Sequence, residues 1–185
     1  MKPFLTRSLA AVFAVTLIPG SAALAQTPVA ATAADTASED ARLIAFLDAE
    51  FAEWVKQQPQ LATRLGIKEG GDRWNDPSDA AAIAQAAWRE ASAARMRAQF
   101  DRAKLSPEGQ VNFDIWALEA ERASASVATR IYRPPFYSRL YSAHSQLPDF
   151  LVNTHSVADV DDLKNYIARL RGMPAVLDIA IEQTK

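Results

Sequence analysis

The chain contains no cysteine, and only two of its 185 residues are histidine. The first absence removes disulfides, thiolate nucleophiles and every cysteine-based zinc site together. The second, with no His-Glu pair anywhere, leaves no zinc-peptidase helix carrying two ligands and a general base. Phosphate-loop and nucleophile-elbow spacings are also missing: "EGGDR" (Glu69–Arg73) has glycines but no Lys-Ser/Thr partner. No basic block stands out, which argues against a nucleic-acid partner. After residue 20 no apolar run approaches the length of a membrane-spanning helix.

What is present begins with a leader. Lys2 and Arg7 precede the apolar run "LAAVFAVTLIPG" (Leu9–Gly20), and "SAALAQ" then places small residues at Ala23 and Ala25. This is a secretory signal pattern, with cleavage expected between Ala25 and Gln26 and export to the periplasm or beyond. Its loss removes two positive charges and no acid, leaving 18 basic against 22 acidic residues. Residues 26–37, "QTPVAATAADTA", are small and polar and are expected to be a disordered leader. Residues 38–185 suffice for one modest core.

That remainder predicts an all-α chain in an irregular multi-helix array. Thr36 and Glu39 have the spacing of a capping box. Leu43, Ile44, Leu47, Phe51, Trp54 and Val55 then give one apolar helical face ending near Gln58. Pro59 opens a short helix stopped at Gly66. A long alanine-rich helix is expected from Asp76-Pro77 to Lys104, packing through Ile83, Ala87, Ala91, Ala94 and Ala98. Ser106-Pro107 restarts the chain as a helix to about Thr129, with Val111, Ile115 and Leu118 along one side. A further helix is expected over 138–145. The next begins near Ser156, buries Leu163, Tyr166, Ile167 and Leu170, and ends at Gly172-Met173-Pro174. Pro174 then opens a last short helix whose apolar face is Val176, Leu177, Ala180 and Ile181.

Both histidines lie in "YSAHSQLPDFLVNTHS" (Tyr141–Ser156), eleven residues apart. That is not the three- or four-residue step of two ligands on one helix, and the segment is expected to connect helices. His155 precedes a helix start, where an imidazole can bond a free backbone group. Trp74, just after the glycine loop, has a polar setting that admits a ligand contact. Trp54, Trp88 and Trp116 have core spacing. Asp159, Asp161 and Asp162 resemble a calcium cluster, but acids in a first helical turn have the same pattern. Arg130, Arg133 and Arg139 around "RPPFY" either bind a carboxylate or pair with the chain's own acids.

Three stretches carry a family resemblance. "FLDAEFAEWVKQQPQLATRLGIKEGGDRWND" (Phe46–Asp76) contains Pro59, Ala62, Thr63, Leu65, Gly66 and Asp72-Arg73. "LSPEGQVNFDIWALEAE" (Leu105–Glu121) follows. "THSVADVDDLKNYIARLRGMP" (Thr154–Pro174) holds His155, Asp162, Asn165, Tyr166, Arg169 and Leu170. In that order they resemble the N-terminal region of the bacterial "domain of unknown function 885" family. The resemblance implies an exported helical protein related to zinc metallopeptidases. It places the family's chemistry on a His-Glu-x-x-Pro-Gly-His-like motif further C-terminal, so no catalytic, metal or cofactor residue carries over to this chain. Zinc and a peptide substrate are expected only of a longer form, with the missing C-terminal region as this region's partner and truncation at or near Lys185. Trp74, Arg133, Tyr137, His144 and His155 are the candidates for lining its cleft. The alternative is a complete periplasmic binding module without enzymatic activity.

The export reading has a direct check. Mature protein from the native host should begin at Gln26, read by N-terminal sequencing; an intact Met1 would overturn the cleavage assignment.

Overall fold

The computed structural model describes residues 28–132, 135–136 and 142–184, with side chains from residue 35 onward. Six α-helices, and no strand, occur among these residues: α1 (Pro28–Lys56), α2 (Pro59–Arg64), α3 (Asp79–Gln99), α4 (Pro107–Ala128), α5 (Ala143–Asn153) and α6 (Val160–Glu182). The chain is all-α, as expected. The cleavage position at Ala25 and Gln26 lies outside the described residues.

The first helix starts earlier than expected. Pro28 stands at its first position and α1 runs unbroken through Thr36 and Glu39. The expected leader is therefore helical from Pro28, and the capping box falls inside a helix instead of at its start. Alanines at residues 30, 31, 33, 34 and 37 supply the propensity. Glu39 instead pairs with Arg42 one turn on.

Helices α1, α3 and α4 form a bundle in which α3 is antiparallel to both others. Arg130 near the end of α4 meets Asp79 at the start of α3 at 2.7 Å, while Arg102 beyond the end of α3 holds Asp114 bidentately at 2.7 Å. On the other side Glu50 of α1 takes two bonds from Arg95, and Trp54 lies under the Arg89 guanidinium, 4.3 Å from the ring centre. Leu43, Met96, Phe100, Leu105 and Phe113 form the buried centre, with Phe46, Leu47 and Trp116 packed around it.

The faces that pack are not those the periodicity suggested. Ile83, Ala87, Ala91, Ala94 and Ala98 all face outward, and α3 buries Ala86, Ser92, Ala93 and Met96. An alanine-rich helix is apolar on several faces, so spacing alone does not choose between them. Met96 and Phe100, with far more area to bury, set the orientation. Likewise α4 buries Phe113 and Ala120 and turns Val111, Ile115 and Leu118 outward. Trp116 reaches inward, and its indole N–H bonds the buried Ser92 hydroxyl at 3.0 Å. The alanine-rich helix also ends at Gln99, not Lys104: Phe100 is extended (φ −127°, ψ 131°) and turns into the core.

The other half is built on α6 and a strap, residues 65–78. Lys68 lies at the start of α6 beside Asp159 and Asp162, Gly71 against Asn165, Trp74 against Arg169 and Gly172, and Pro77 beside Gln183. The strap thus runs along α6 in the same direction. Gly66 and Gly70 are left-handed (φ 77° and 73°) and supply its bends. Asp159, not Ser156, caps α6, accepting from the amides of Asp161 and Asp162 at 2.9 and 2.8 Å. Acids at a helix start account for this cluster, as one of the two readings held.

Two boundaries are corrected here. Helix α6 continues through Gly172-Met173-Pro174 as one element. Gly172 lies beside the Trp74 indole, and the packing along the strap outweighs the bond Pro174 cannot donate. The histidine segment is itself a helix, α5, with Pro148 inside it, and not a connection. Buried Leu147, Phe150 and Leu151 hold that helix in place.

At the junction of α1 and α4, Gly109 has no room for a side chain. An added Cβ would collide with the Asp40 carboxylate, which accepts the Ser106 amide at 3.1 Å. Alanine gains about 1 kcal/mol of helix propensity over glycine, yet overpacking costs about 1–3 kcal/mol. Gly109→Ala should therefore lower stability by up to about 2 kcal/mol in a urea titration, despite the better helix former.

Candidate functional site

The landmarks at residues 59–73 and 154–170 converge on one side chain, Arg169, which is fully buried at 0% exposure. Its guanidinium donates from Nε to the Arg73 carbonyl at 2.8 Å and from Nη2 to the carbonyls of Pro59 (3.1 Å) and Gly70 (3.3 Å). Nη1 lies 2.9 Å from His155 Nδ1. The plane is flanked by Phe150 of α5 at 5.0 Å and Trp74 at 5.8 Å. Among the described residues no carboxylate bonds this cation directly; backbone carbonyls, an imidazole and two aromatic faces carry it. Burial pushes its pKa down to about 10, opposed by the charge of Asp72.

The partner fixes the tautomer of His155. An arginine can only donate, so Nδ1 must accept and the ring proton must be on Nε2. Nε2 faces the Asp162 carbonyl at 3.4 Å, the Tyr166 ring lies edge-on at 5.4 Å, and the His155 amide bonds the Phe150 carbonyl at 2.9 Å. Burial, reinforced by the Arg169 charge, holds the His155 pKa below the ordinary 6.5, with the Asp162 carbonyl and carboxylate opposing.

Around this pair a second set of bonds closes the strap onto α6. Lys68 reaches Asp159 at 2.8 Å and Asp162 at 2.9 Å. Its hydrogen bonds, followed by the Asp162 amide for Asp159 and the Ala158 amide for Asp162, keep both carboxyls below the usual carboxylate range. A polar hollow of about 70 Å³ lies among Thr63, Lys68, His155, Ser156, Asp162 and Asn165. By the share of liquid volume one water takes, that is room for about two waters. Gly71 is buried beside it, and a Cβ there would come within 2.9 Å of Asn165 Nδ2.

The sequence candidates fall in different places. His155 is central to the clamp. Trp74 is a half-buried strut and not an open platform, its indole N–H donating to the Arg169 carbonyl at 2.7 Å. His144 is exposed on the second residue of α5, stacked on Phe136 at 5.7 Å. Arg133, Tyr137 and Arg139 lie outside the described residues. Arg130 pairs with Asp79, as the ion-pair reading of that cluster held. No group of three potential metal ligands occurs among the described residues.

Sequence reasoning missed Arg169 as the centre, although its position in "NYIARL" had been singled out. Helical spacing put it beside Leu170 at the edge of the presumed apolar face. Leu163, Ile167 and Leu170 are instead exposed, and Asp162 and Arg169 are buried. An apolar hollow of about 280 Å³ was also not foreseen. Phe51, Ala52, Val55, Pro59, Ala62 and Ile67 line it, with Lys56, Glu69 and Arg73 at its rim. It shares Pro59 and Arg73 with the clamp.

Arg169→Ala would strip the Arg73 carbonyl and His155 Nδ1 of their donor, while the Pro59 and Gly70 carbonyls keep bonds from the Thr63 hydroxyl and the Arg73 amide. At about 1–3 kcal/mol for each buried group left unpaired, with part of the cost relieved by water entry, a loss of about 2–4 kcal/mol is expected. Arg169→Lys keeps the charge but not the fork and should lose at least about 2 kcal/mol. Urea denaturation followed by tryptophan fluorescence measures both.

Residues 59–185 match the family model described as "Bacterial protein of unknown function (DUF885)". No curated protein and no solved structure matches the chain. The matched span begins at Pro59, whose carbonyl Arg169 holds, and it contains the strap, the clamp and all of α3 to α6. The chain belongs to the DUF885 family.

Proposed function

We propose that this chain is a non-catalytic helical region of an exported, metallopeptidase-like protein, its role being to build and brace a wall for chemistry carried elsewhere. The observation that supports this most is how the family-pattern residues are used. Pro59, Arg73, His155 and Arg169 meet in bonds to one another, and Asp162 is held by Lys68 and the Ala158 amide. A general base needs a lone pair free to take a proton. His155 Nδ1 is already bonded to Arg169, and Nε2 carries the hydrogen, so the shared residues support an architectural role.

The outward faces support a covering partner. Val111, Ile115 and Leu118 on α4, and Leu163, Ile167 and Leu170 on α6, are each more than a third exposed. Apolar ladders on two helices exceed the scattered single residues usual on a monomer's surface. A C-terminal region of the same protein would cover them in this reading, with zinc and the peptide-cleaving groups in that region. The 280 Å³ apolar hollow favours a second reading, a periplasmic binding module, because such volume suits one apolar side chain or small molecule.

The test is a peptidase assay of residues 26–185, with zinc added, on a mixed peptide library read by mass spectrometry. The scaffold reading expects no cleavage above buffer. Cleavage that disappears in His155→Gln would overturn it in favour of a compact enzyme.

A further inference from the structure

The contact between His155 and Arg169 sets a condition that pH can break. Arg169 Nη1 is a donor at every accessible pH, and the 2.9 Å bond needs a lone pair on His155 Nδ1. A protonated imidazole has none. It would also place a second positive charge against a fully buried guanidinium that no carboxylate touches. The two states of the histidine are therefore not equivalent here: the neutral ring completes the clamp and the charged ring expels one of its members.

We propose that the His155–Arg169 pair is an acid-sensitive latch: a neutral His155 fastens the α5–α6 connection to helix α6 and leaves Asp162 to Lys68 of the strap, and a protonated His155 releases both. Arg169 is held by three carbonyls besides the imidazole, so the histidine is the member that moves. His155 belongs to the short connection between α5 and α6 and borders the polar hollow of about 70 Å³, which offers it space. From α6 it is faced by Asp162, Tyr166 and Arg169; from the strap Lys68 acts through Asp162 and Asp72 acts on Arg169, and Arg64 of α2 lies over the Phe150 ring of α5. The carboxylate that shares this hollow with a displaced imidazolium is Asp162, whose charge already acts on the ring. Taking it would weaken the Lys68 bridge, so release at the histidine spreads to the start of the strap.

The direction follows from the histidine's lowered pKa in the folded state. Above the ordinary value of 6.5 neither folded nor unfolded chain protonates His155, and the latch contributes in full. As pH falls below 6.5 the open form takes up a proton that the closed form refuses, and closure weakens by up to tenfold per pH unit. Asp159 and Asp162, held low by Lys68, lose their contribution only below the ordinary carboxylate value of 3.8. Their loss is thus separated from that of the latch on the pH axis.

Amide hydrogen exchange of the intact protein, corrected for intrinsic rates, tests this between pH 7.2 and 5.0. Residues 66–75 and 155–170 should exchange faster at the lower pH, by up to about thirtyfold, while the α1–α3–α4 bundle stays unchanged. His155→Gln, whose amide oxygen can accept from Arg169 at either pH, should abolish the acceleration. Equal acceleration in that variant, or none in the wild type, overturns the proposal. Should His155→Gln fail to fold, the wild-type ring signals decide. The chain has two histidines, and exposed His144→Gln assigns them. His155 must then titrate below 6.5 with the same midpoint as the exchange change. A midpoint at or above 6.5, or a mismatch between the two, sinks the latch.

Discussion

A buried cation without a carboxylate partner is expensive, and the half of the molecule around α6 is arranged to make one tolerable. Arg169 has five N–H donors in a rigid plane, and a planar fork suits backbone carbonyls arriving from several directions. Those of Pro59, Gly70 and Arg73 arrive because α2 and the strap are folded around it. The side chain therefore reports on three separate segments at once. Apolar contacts alone would let the strap slide along α6. A fork that accepts only one arrangement of carbonyls fixes the register.

The strap shows how small residues serve that requirement. Gly71 permits Asn165 to approach, and left-handed Gly66 and Gly70 set the path of the strap. Trp74 then donates to the carbonyl of Arg169 itself, so side chain and main chain of that residue are both held from the strap. The bundle of α1, α3 and α4 is stabilised differently, by Leu43, Met96, Phe100, Leu105 and Phe113 packed away from water. One half rests on area and the other on directed bonds. Directed bonds are the kind that a single proton can change.

Helix starts were legible where a proline stands at the first helical position after a break, because that signal is local. Ser106 with Pro107 opens α4, Pro59 opens α2, and Gly66 closes the turn after it. Helix faces were the least legible. On α3 and α4 the aliphatic stripes at helical spacing are real, but Met96, Phe100, Phe113 and Trp116 outbid them for the interior. On α6 the apolar ladder Leu163–Ile167–Leu170 gave way to a charged residue, which no hydrophobicity rule would place inside. Pro174 and Pro148 misled for a related reason. A proline costs a helix one bond, and tertiary packing along the strap and at Phe150 can outweigh that cost.

What the sequence by itself determined, then, is whatever depends on neighbours along the chain: an all-α fold, the beginnings of α2 and α4, and three landmarks in order. The resemblance those landmarks carried matched the family to which the chain belongs. Tertiary structure alone decided which face of each helix is buried, that the first and third landmarks meet, and that they meet on Arg169. The physical reason is separation. Residues 59, 70, 73, 155 and 169 act as one unit only when the chain has brought carbonyls about a hundred positions away within 3.3 Å of a single guanidinium.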